Sequence, residues 1–266
     1  MIFDTHAHYD DEAFDIDRKE LLSGLKNSGI ERIVNIGADL KSCKTTLQLS
    51  REYDYIYAAL GIHPSSVKEL NEENFKHLAE LCRENSIMGR GKVVAIGETG
   101  LDYNFNEWNT CSEAEQKIWF ERHIELAKEI NLPLVVHSRD AAKDTYDVMK
   151  ACDAAAAGGI VHCYAYSKEM ARDFFDMGFY FGIGGVVTFK NAKKLKEVVE
   201  YLPLNRIVLE TDCPYLSPEP YRGKRNYSLN LMLVAEKIAE LKGITKEEVI
   251  TATADNAYKV YGMIRE

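Results

Sequence analysis

The chain switches eight times between a short β-branched run and a longer amphipathic stretch, and that alternation leaves few folds open. The short runs fall at residues 2–8, 32–37, 56–63, 93–98, 133–137, 160–162, 179–184 and 207–212. Their cores are nearly unbroken apolar stretches, among them Ile33-Val34, Val93-Val94-Ala95-Ile96, Leu134-Val135-Val136 and Ile207-Val208-Leu209. Strands that are apolar on both faces belong in a parallel sheet covered by helices, not in a half-solvated antiparallel one. The intervening stretches read as helices; residues 112–130, for example, carry Trp119, Ile124, Leu126 and Ala127 on an apolar side. Eight strand-then-helix units predict an α/β chain folded as a closed (β/α)8 TIM barrel. At 266 residues the chain has the length of one such barrel, so a single domain spanning 1–266 is expected. Residues 245–266 are expected to add one or two C-terminal helices packed on its outside.

Barrel enzymes carry their chemistry at the C-terminal ends of the strands. The polar residues of this chain gather there. His6 and His8 close the first run, in Asp4-Thr5-His6-Ala7-His8, where alternate strand residues share a face and can grip one ion. His63, Glu98, His137, His162 and Asp212 end the third, fourth, fifth, sixth and eighth runs. Five of the seven histidines thus sit at strand ends; His77 and His123 fall inside helical stretches and read as surface or packing residues. Cys163 and Cys213 adjoin two of these positions and read as packing residues on the opposite strand face. Imidazoles and carboxylates without thiolates suit magnesium, manganese or zinc in a catalytic site with open positions for water. Four imidazoles and two carboxylates exceed one tetrahedral shell, but they suit two ions sharing a bridging carboxylate. A buried Glu98 or Asp212 would in any case need a cationic partner.

A formal net charge of −9 at pH 7 and a pI near 5.4 exclude a protein that coats DNA with its whole surface. Any nucleic-acid contact must be local. Arg222, Lys224 and Arg225 form a dense basic knot after the eighth strand, suited to phosphates. Arg139 can reach a phosphate or brace a carboxylate such as Glu98, and His63, in Gly61-Ile62-His63-Pro64, can touch substrate or simply brace its loop. Tyr103, Tyr164 and Tyr215 fall in strand-end loops where an unpaired base can stack. The six cysteines include no CxxC pair, which fits a reducing cytosol; with no signal peptide and no apolar run long enough to span a bilayer, a cytoplasmic protein without membrane contact is expected.

The ordered motifs go further. Beyond the two already quoted they include Ile96-Gly97-Glu98-Thr99-Gly100-Leu101-Asp102-Tyr103, Val136-His137-Ser138-Arg139-Asp140-Ala141 and His162-Cys163-Tyr164. They end with Glu210-Thr211-Asp212-Cys213-Pro214-Tyr215-Leu216 and Tyr221-Arg222-Gly223-Lys224-Arg225-Asn226. Almost end to end, the chain resembles the TatD-like metal-dependent deoxyribonucleases of the amidohydrolase-type barrel superfamily. The resemblance implies a (β/α)8 barrel and a divalent-metal hydrolase, typically a magnesium-dependent DNase with 3′-to-5′ exonuclease activity. Carried over by position, His6, His8, Glu98 and Asp212 hold one ion, while Glu98, His137 and His162 hold the second. Glu98 is then the bridge, in the place where many superfamily relatives carry a carbamylated lysine. Lys259 and Tyr261 depart from the arginine and phenylalanine expected there, at positions remote from the site.

The expected reaction is attack of a two-metal-activated water on a phosphodiester, with Asp212 as general base, Glu98 bridging, and Mg2+, or else Mn2+ or Zn2+, as cofactor. Single-stranded DNA or DNA ends are the expected substrate, with no stable protein partner. Two alternatives stay open: hydrolysis of another bond by the same metals, such as the ester of a D-aminoacyl-tRNA or a small phosphoester or amide, and a non-enzymatic binding protein that keeps an inactive site.

Overall fold

The computed structural model describes residues 1–265. Eight parallel strands follow one another around a single sheet: β1 (Ile2–Ala7), β2 (Ile30–Ile36), β3 (Ile56–Leu60), β4 (Val93–Asp102), β5 (Leu134–Arg139), β6 (Gly159–Val161), β7 (Tyr180–Ile183) and β8 (Ile207–Leu209). Helices α1 (Arg18–Leu25), α2 (Leu40–Glu52), α3 (Glu72–Asn85), α4 (Glu113–Ile130) and α5 (Ala142–Ala151) link the first half. The second half carries α6 (Lys168–Asp176), α7 (Lys193–Tyr201), α8 (Leu231–Lys242) and α9 (Lys246–Val260). The TIM barrel expected from the alternation is the observed architecture. Helix α4 starts one residue inside the predicted stretch because Ser112 is its cap, accepting the Glu115 N–H while Glu115 reaches back to the Ser112 N–H.

Two apolar cores flank the strands. Ile33, Val93, Leu134, Val136, Ile207 and Leu209 pack outward against the helices. Phe3, Val34, Val94, Val135, Ile160, Tyr180 and Val208 point into the barrel. Alternation therefore carries His137 inward two residues after Val135, and His162 two after Ile160. Strand β1 needs a correction to that rule, since Phe3 faces inward and Ala7, an even number of residues later, faces outward. The register against β2 slips between Asp4 and Ala7. That irregularity turns the side chains past it over and brings His6 and His8 to the interior.

The seam between β1 and β8 closes differently from the rest of the sheet. At its upper end the backbone joins it, with the Asp212 N–H donating to His6 O and the His8 N–H to Cys213 O, both at 2.9 Å. Lower down side chains take over. Thr5 Oγ1 donates to Leu209 O at 3.0 Å, and buried Asp4 accepts from the Thr211 hydroxyl at 2.8 Å and the Ser228 hydroxyl at 2.7 Å. The C-terminal helix belongs here too. Rather than lying outside, α9 turns Ala254, Ala257, Tyr258 and, just past its end, Tyr261 into the interior core, where Tyr261 stacks on Phe3 and Tyr258 meets it edge-on. The Tyr261 hydroxyl donates to Thr5 O at 2.8 Å, and Asn256 donates to Ile207 O at 2.8 Å. An amphipathic helix presents the same pattern whether it covers a barrel wall or plugs its base, which is why the expected outside packing is corrected.

Candidate metal centre

The strand ends deliver six side chains to one pocket of about 680 Å³ at the C-terminal mouth, lined by His8, Glu98, His137, His162 and Asp212, with His6 buried beneath. Glu98 is at the centre. Its Oε2 faces His6 Nε2 at 3.4 Å and His8 Nε2 at 3.8 Å. Its Oε1 faces His137 Nδ1 at 2.6 Å and His162 Nε2 at 3.7 Å. Asp212 Oδ1 closes the first group, 3.7 Å from His6 Nε2 and 3.4 Å from His8 Nε2. The fourth strand runs on to Asp102, beyond the predicted end at Glu98, because residues 99–102 keep pairing with β5. Asp212, in contrast, lies in the turn after β8, with φ at +54°.

Atoms that share a cation at about 2.1 Å stand about 3.0–3.4 Å apart. In the first group His6 Nε2 to His8 Nε2, at 3.1 Å, and the shorter carboxylate contacts, at 3.4 Å, have that spacing, and the longer ones, at 3.7 and 3.8 Å, exceed it by a few tenths of an ångström. The His8 Nδ1 hydrogen is directed at Ile36 O, 3.1 Å away, which leaves the Nε2 lone pair facing His6 and the carboxylates. Lone pairs at such distances repel unless a proton or cation lies among them. The residues present therefore fit divalent cations.

The electrostatics agree. Burial would push Glu98 up, but the charges of His162 and His6 and the His137 hydrogen bond hold its carboxyl well below the usual range. Burial works against a charge on His8, yet the Asp212 hydrogen bond and the Asp212, Glu98 and Asp10 charges carry it up to about 9. Burial opposes His162 in the same way, and Glu210, Glu98 and Asp212 raise it to about 10. Protons are drawn to His8 and His162, whereas burial and the neighbouring His162 charge hold His6 below the usual imidazole range.

Two carboxylates that sequence reasoning missed stand behind the histidines. Asp102 Oδ2 lies 3.1 Å from His137 Nε2, and its Oδ1 accepts the Asn104 N–H at 2.9 Å. Glu210 Oε1 lies 3.0 Å from His162 Nδ1 and accepts the Cys163 N–H at 2.6 Å. Gly182 makes room for it, since a Cβ there would come within 2.0 Å of Glu210 Oε2. Both carboxylates were visible within the quoted motifs as acids next to buried runs, but their histidine partners are distant in sequence.

The remaining candidates divide. His63 lies past the end of β3, in the metal pocket, with Nε2 4.0 Å from Glu98 Oε1. Burial and the His137 charge lower its pKa to about 3. Arg222, Lys224 and Arg225 line an open groove of about 1130 Å³ that shares Asp11, Glu12 and Tyr215 with the metal pocket. Arg225 is engaged there, donating to both Asp17 carboxylate oxygens at 2.7 and 2.5 Å while stacking over Phe14. Arg222 stacks over Phe189 and Lys224 over Tyr221, and neither pairs with a carboxylate among the described residues. Arg139 lines the metal pocket and braces neither Glu98 nor any other described carboxylate within 4.0 Å. Of the tyrosines, Tyr215 is 55% exposed, whereas Tyr164 is buried and the Tyr103 ring packs against Phe105 and the Lys117 ammonium, so these two are poorly placed to stack on a base.

Three packing assignments resolve as well. Exposed His77 makes no site contact, and Cys213 is fully buried. Cys163 is not on the opposite face. Strand β6 ends at Val161 and Cys163 adopts φ +45°, so alternation no longer governs it and its sulfur comes within 4.8 Å of the His162 and Asp212 ligand atoms.

The family model described as TatD related DNase matches residues 3–262. The uncharacterized metal-dependent hydrolase YabD of Bacillus subtilis is 45% identical over 261 residues, covering 98% of this chain and 99% of its own. The uncharacterized metal-dependent hydrolase YcfH of Escherichia coli K12 is 34% identical over 264 residues, covering 98% and 96%. The crystal structure of YJJV, a TatD homolog from Escherichia coli K12, superposes with a TM-score of 0.89 at 28% identity over 99% of this chain and 98% of that one. With histidines and carboxylates converging on one barrel mouth and likeness running the length of the chain, the protein belongs to the TatD family of metal-dependent hydrolases.

Proposed function

We propose that the protein is a phosphodiesterase, a deoxyribonuclease of the 3′-to-5′ exonuclease type acting on single-stranded DNA or DNA ends with two divalent cations. One observation carries the two-ion reading: the two oxygens of Glu98 turn to different histidine groups, Oε2 to His6 and His8 and Oε1 to His137 and His162. His6, His8 and Asp212 would complete the first shell around Glu98, and His137 and His162 the second. When bound, the cations polarise phosphoryl oxygens and lower the pKa of water. Asp212, 19% exposed at the pocket, accepts the proton of the attacking water. Asp102 and Glu210 hold the His137 and His162 rings in place.

The phosphate-polymer reading rests on the groove. Arg222 and Lys224 are exposed cations with no carboxylate partner among the described residues, and the groove that they line runs into the metal pocket at Tyr215. They grip phosphates flanking the scissile bond, and the exposed Tyr215 ring stacks on a base. Six free cysteines and the lack, among the described residues, of a helix long and apolar enough to cross a membrane support a place in the cytosol.

Four imidazoles beside two carboxylates accommodate Mn2+ and Zn2+ more readily than Mg2+, so all three metals enter the test. Labelled single-stranded oligonucleotide and a D-aminoacyl-tRNA are offered side by side with each metal. A ladder shortening from the 3′ end is the expected result. Ester cleavage of the tRNA with the oligonucleotide intact would replace this reading.

A further inference from the structure

We infer that His63 is a hydrogen-bond donor rather than a metal ligand, and that it presents its Nε2 hydrogen to an anionic oxygen of the bound substrate. This rests on the phosphodiesterase reading for the identity of the substrate and on hydrogen-bond bookkeeping for everything else.

His63, Asp102 and His137 place ligand atoms within 4.8 Å of one another, an arrangement that on distance alone could pass for a third cation site. The other side of the His63 ring decides otherwise. His63 caps the short helical turn Pro64–Glu69, and its Nδ1 accepts the backbone N–H of Ser65 at 3.1 Å. A peptide N–H can only donate, so Nδ1 carries no hydrogen. The Ser65 hydroxyl, 2.7 Å from the same nitrogen, donates into it as well. The proton of the neutral ring must then be on Nε2. An N–H has no lone pair to give a metal.

That hydrogen is unspent. Its nearest carboxylate oxygen, Glu98 Oε1, is 4.0 Å away, beyond hydrogen-bonding distance, and Nε2 has no other partner among the described residues. The cap fixes the ring from behind. The His63 N–H donates to Ala38 O and the Ser66 N–H to His63 O, both at 2.8 Å, which fixes the main chain, while the two Ser65 bonds to Nδ1 hold the ring. A fixed donor aimed into a pocket of metal ligands is the arrangement that stabilises charge on a reacting oxygen. Arg139, on the rim of the same pocket, supplies a second donor from the β5 side.

The test reads the tautomer, the metal content and the binding of inorganic phosphate. Nitrogen-15 correlation spectra of the unsubstituted, metal-loaded protein should show His63 protonated at Nε2 and bare at Nδ1, the signal being assigned by its loss in His63→Gln. The opposite tautomer would overturn the inference; should His63→Gln misfold, the ring is assigned instead from its through-space contacts to Ser65 in the unsubstituted protein. His63→Ala should keep the metal content of the parent by elemental analysis; loss of an ion would make His63 a ligand. Inorganic phosphate should move the Nε2–H signal and bind about tenfold more weakly to His63→Ala, with His63→Gln, which keeps an N–H, recovering most of that loss. Phosphate affinity unchanged in His63→Ala would remove the donor from the substrate site. Because these readouts need no DNA cleavage, they stand or fall apart from the nuclease assay.

Discussion

Acid should loosen this protein through a residue outside the metal pocket. His123 is fully buried in α4, with Nδ1–H donating to Trp119 O at 2.7 Å and Nε2 accepting the Ile62 N–H at 3.3 Å. The Ile62 contact requires the neutral ring, because a protonated Nε2 has no lone pair to accept, and burial, opposed by the Trp119 carbonyl, holds the pKa down to about 4 against the ordinary 6.5. The unfolded chain then takes up this proton first. The contribution to stability is complete above pH 6.5 and is lost as the pH falls toward 4. By that linkage the loss is about 2 kcal/mol at pH 5 and about 3 kcal/mol once the pH is below both values. His123→Gln offers an amide that can accept and donate in the same places without titrating. Urea unfolding followed by tryptophan fluorescence, in chelator so that metal linkage is equal, gives the stability of both proteins at each pH. Between pH 7.5 and 5 the difference should move by about 2 kcal/mol in favour of the variant. A difference constant to within about 0.5 kcal/mol would refute the locked neutral ring.

Glu98→Gln removes the anionic oxygens that both histidine groups face, so elemental analysis should find both ions depleted; unchanged content would end the bridging role. Glu210→Gln and Asp102→Asn should each weaken metal binding by about 10- to 100-fold in chelator competition, since each leaves a ligand histidine without its carboxylate. Arg222→Ala should raise the KM for an oligonucleotide several-fold while leaving kcat and bound metal intact, and parental kinetics would remove Arg222 from the groove.

The alternation of apolar runs and amphipathic stretches carried the barrel, because a strand buried on both faces declares itself locally. The ligand candidates were legible for a related reason. His6, His8, Glu98, His137, His162 and Asp212 are polar interruptions at the ends of such runs, where burial without a partner is costly. What stayed hidden depends on contacts between remote segments. Asp102 and Glu210 are ordinary acids until β4 pairs with β5 and the chain segments just past β6 and β8 converge at the barrel mouth. The Asp17 carboxylate that occupies Arg225 comes from the loop after β1, a partner that no local reading of the basic knot reveals. Cys163 misled because strict alternation was carried past the end of its strand. The slip in β1 between Asp4 and Ala7 is equally invisible, since alternate residues look alike in either register.

The seam gives the metal centre a second task. His6 and His8 stand on the first stave of the cylinder and Asp212 on the last, and the line between them is held by two backbone bonds, a few hydroxyls and the plug of Tyr261. A cation shared across that line would act as a clasp, drawing the first and last strands of the sheet together. Affinity for the ion is then partly affinity for the shut cylinder. A chain stripped of its cations should breathe first along this margin, and hydrogen exchange at the Asp212 and His8 amides would register that opening before any other part of the wall gives way.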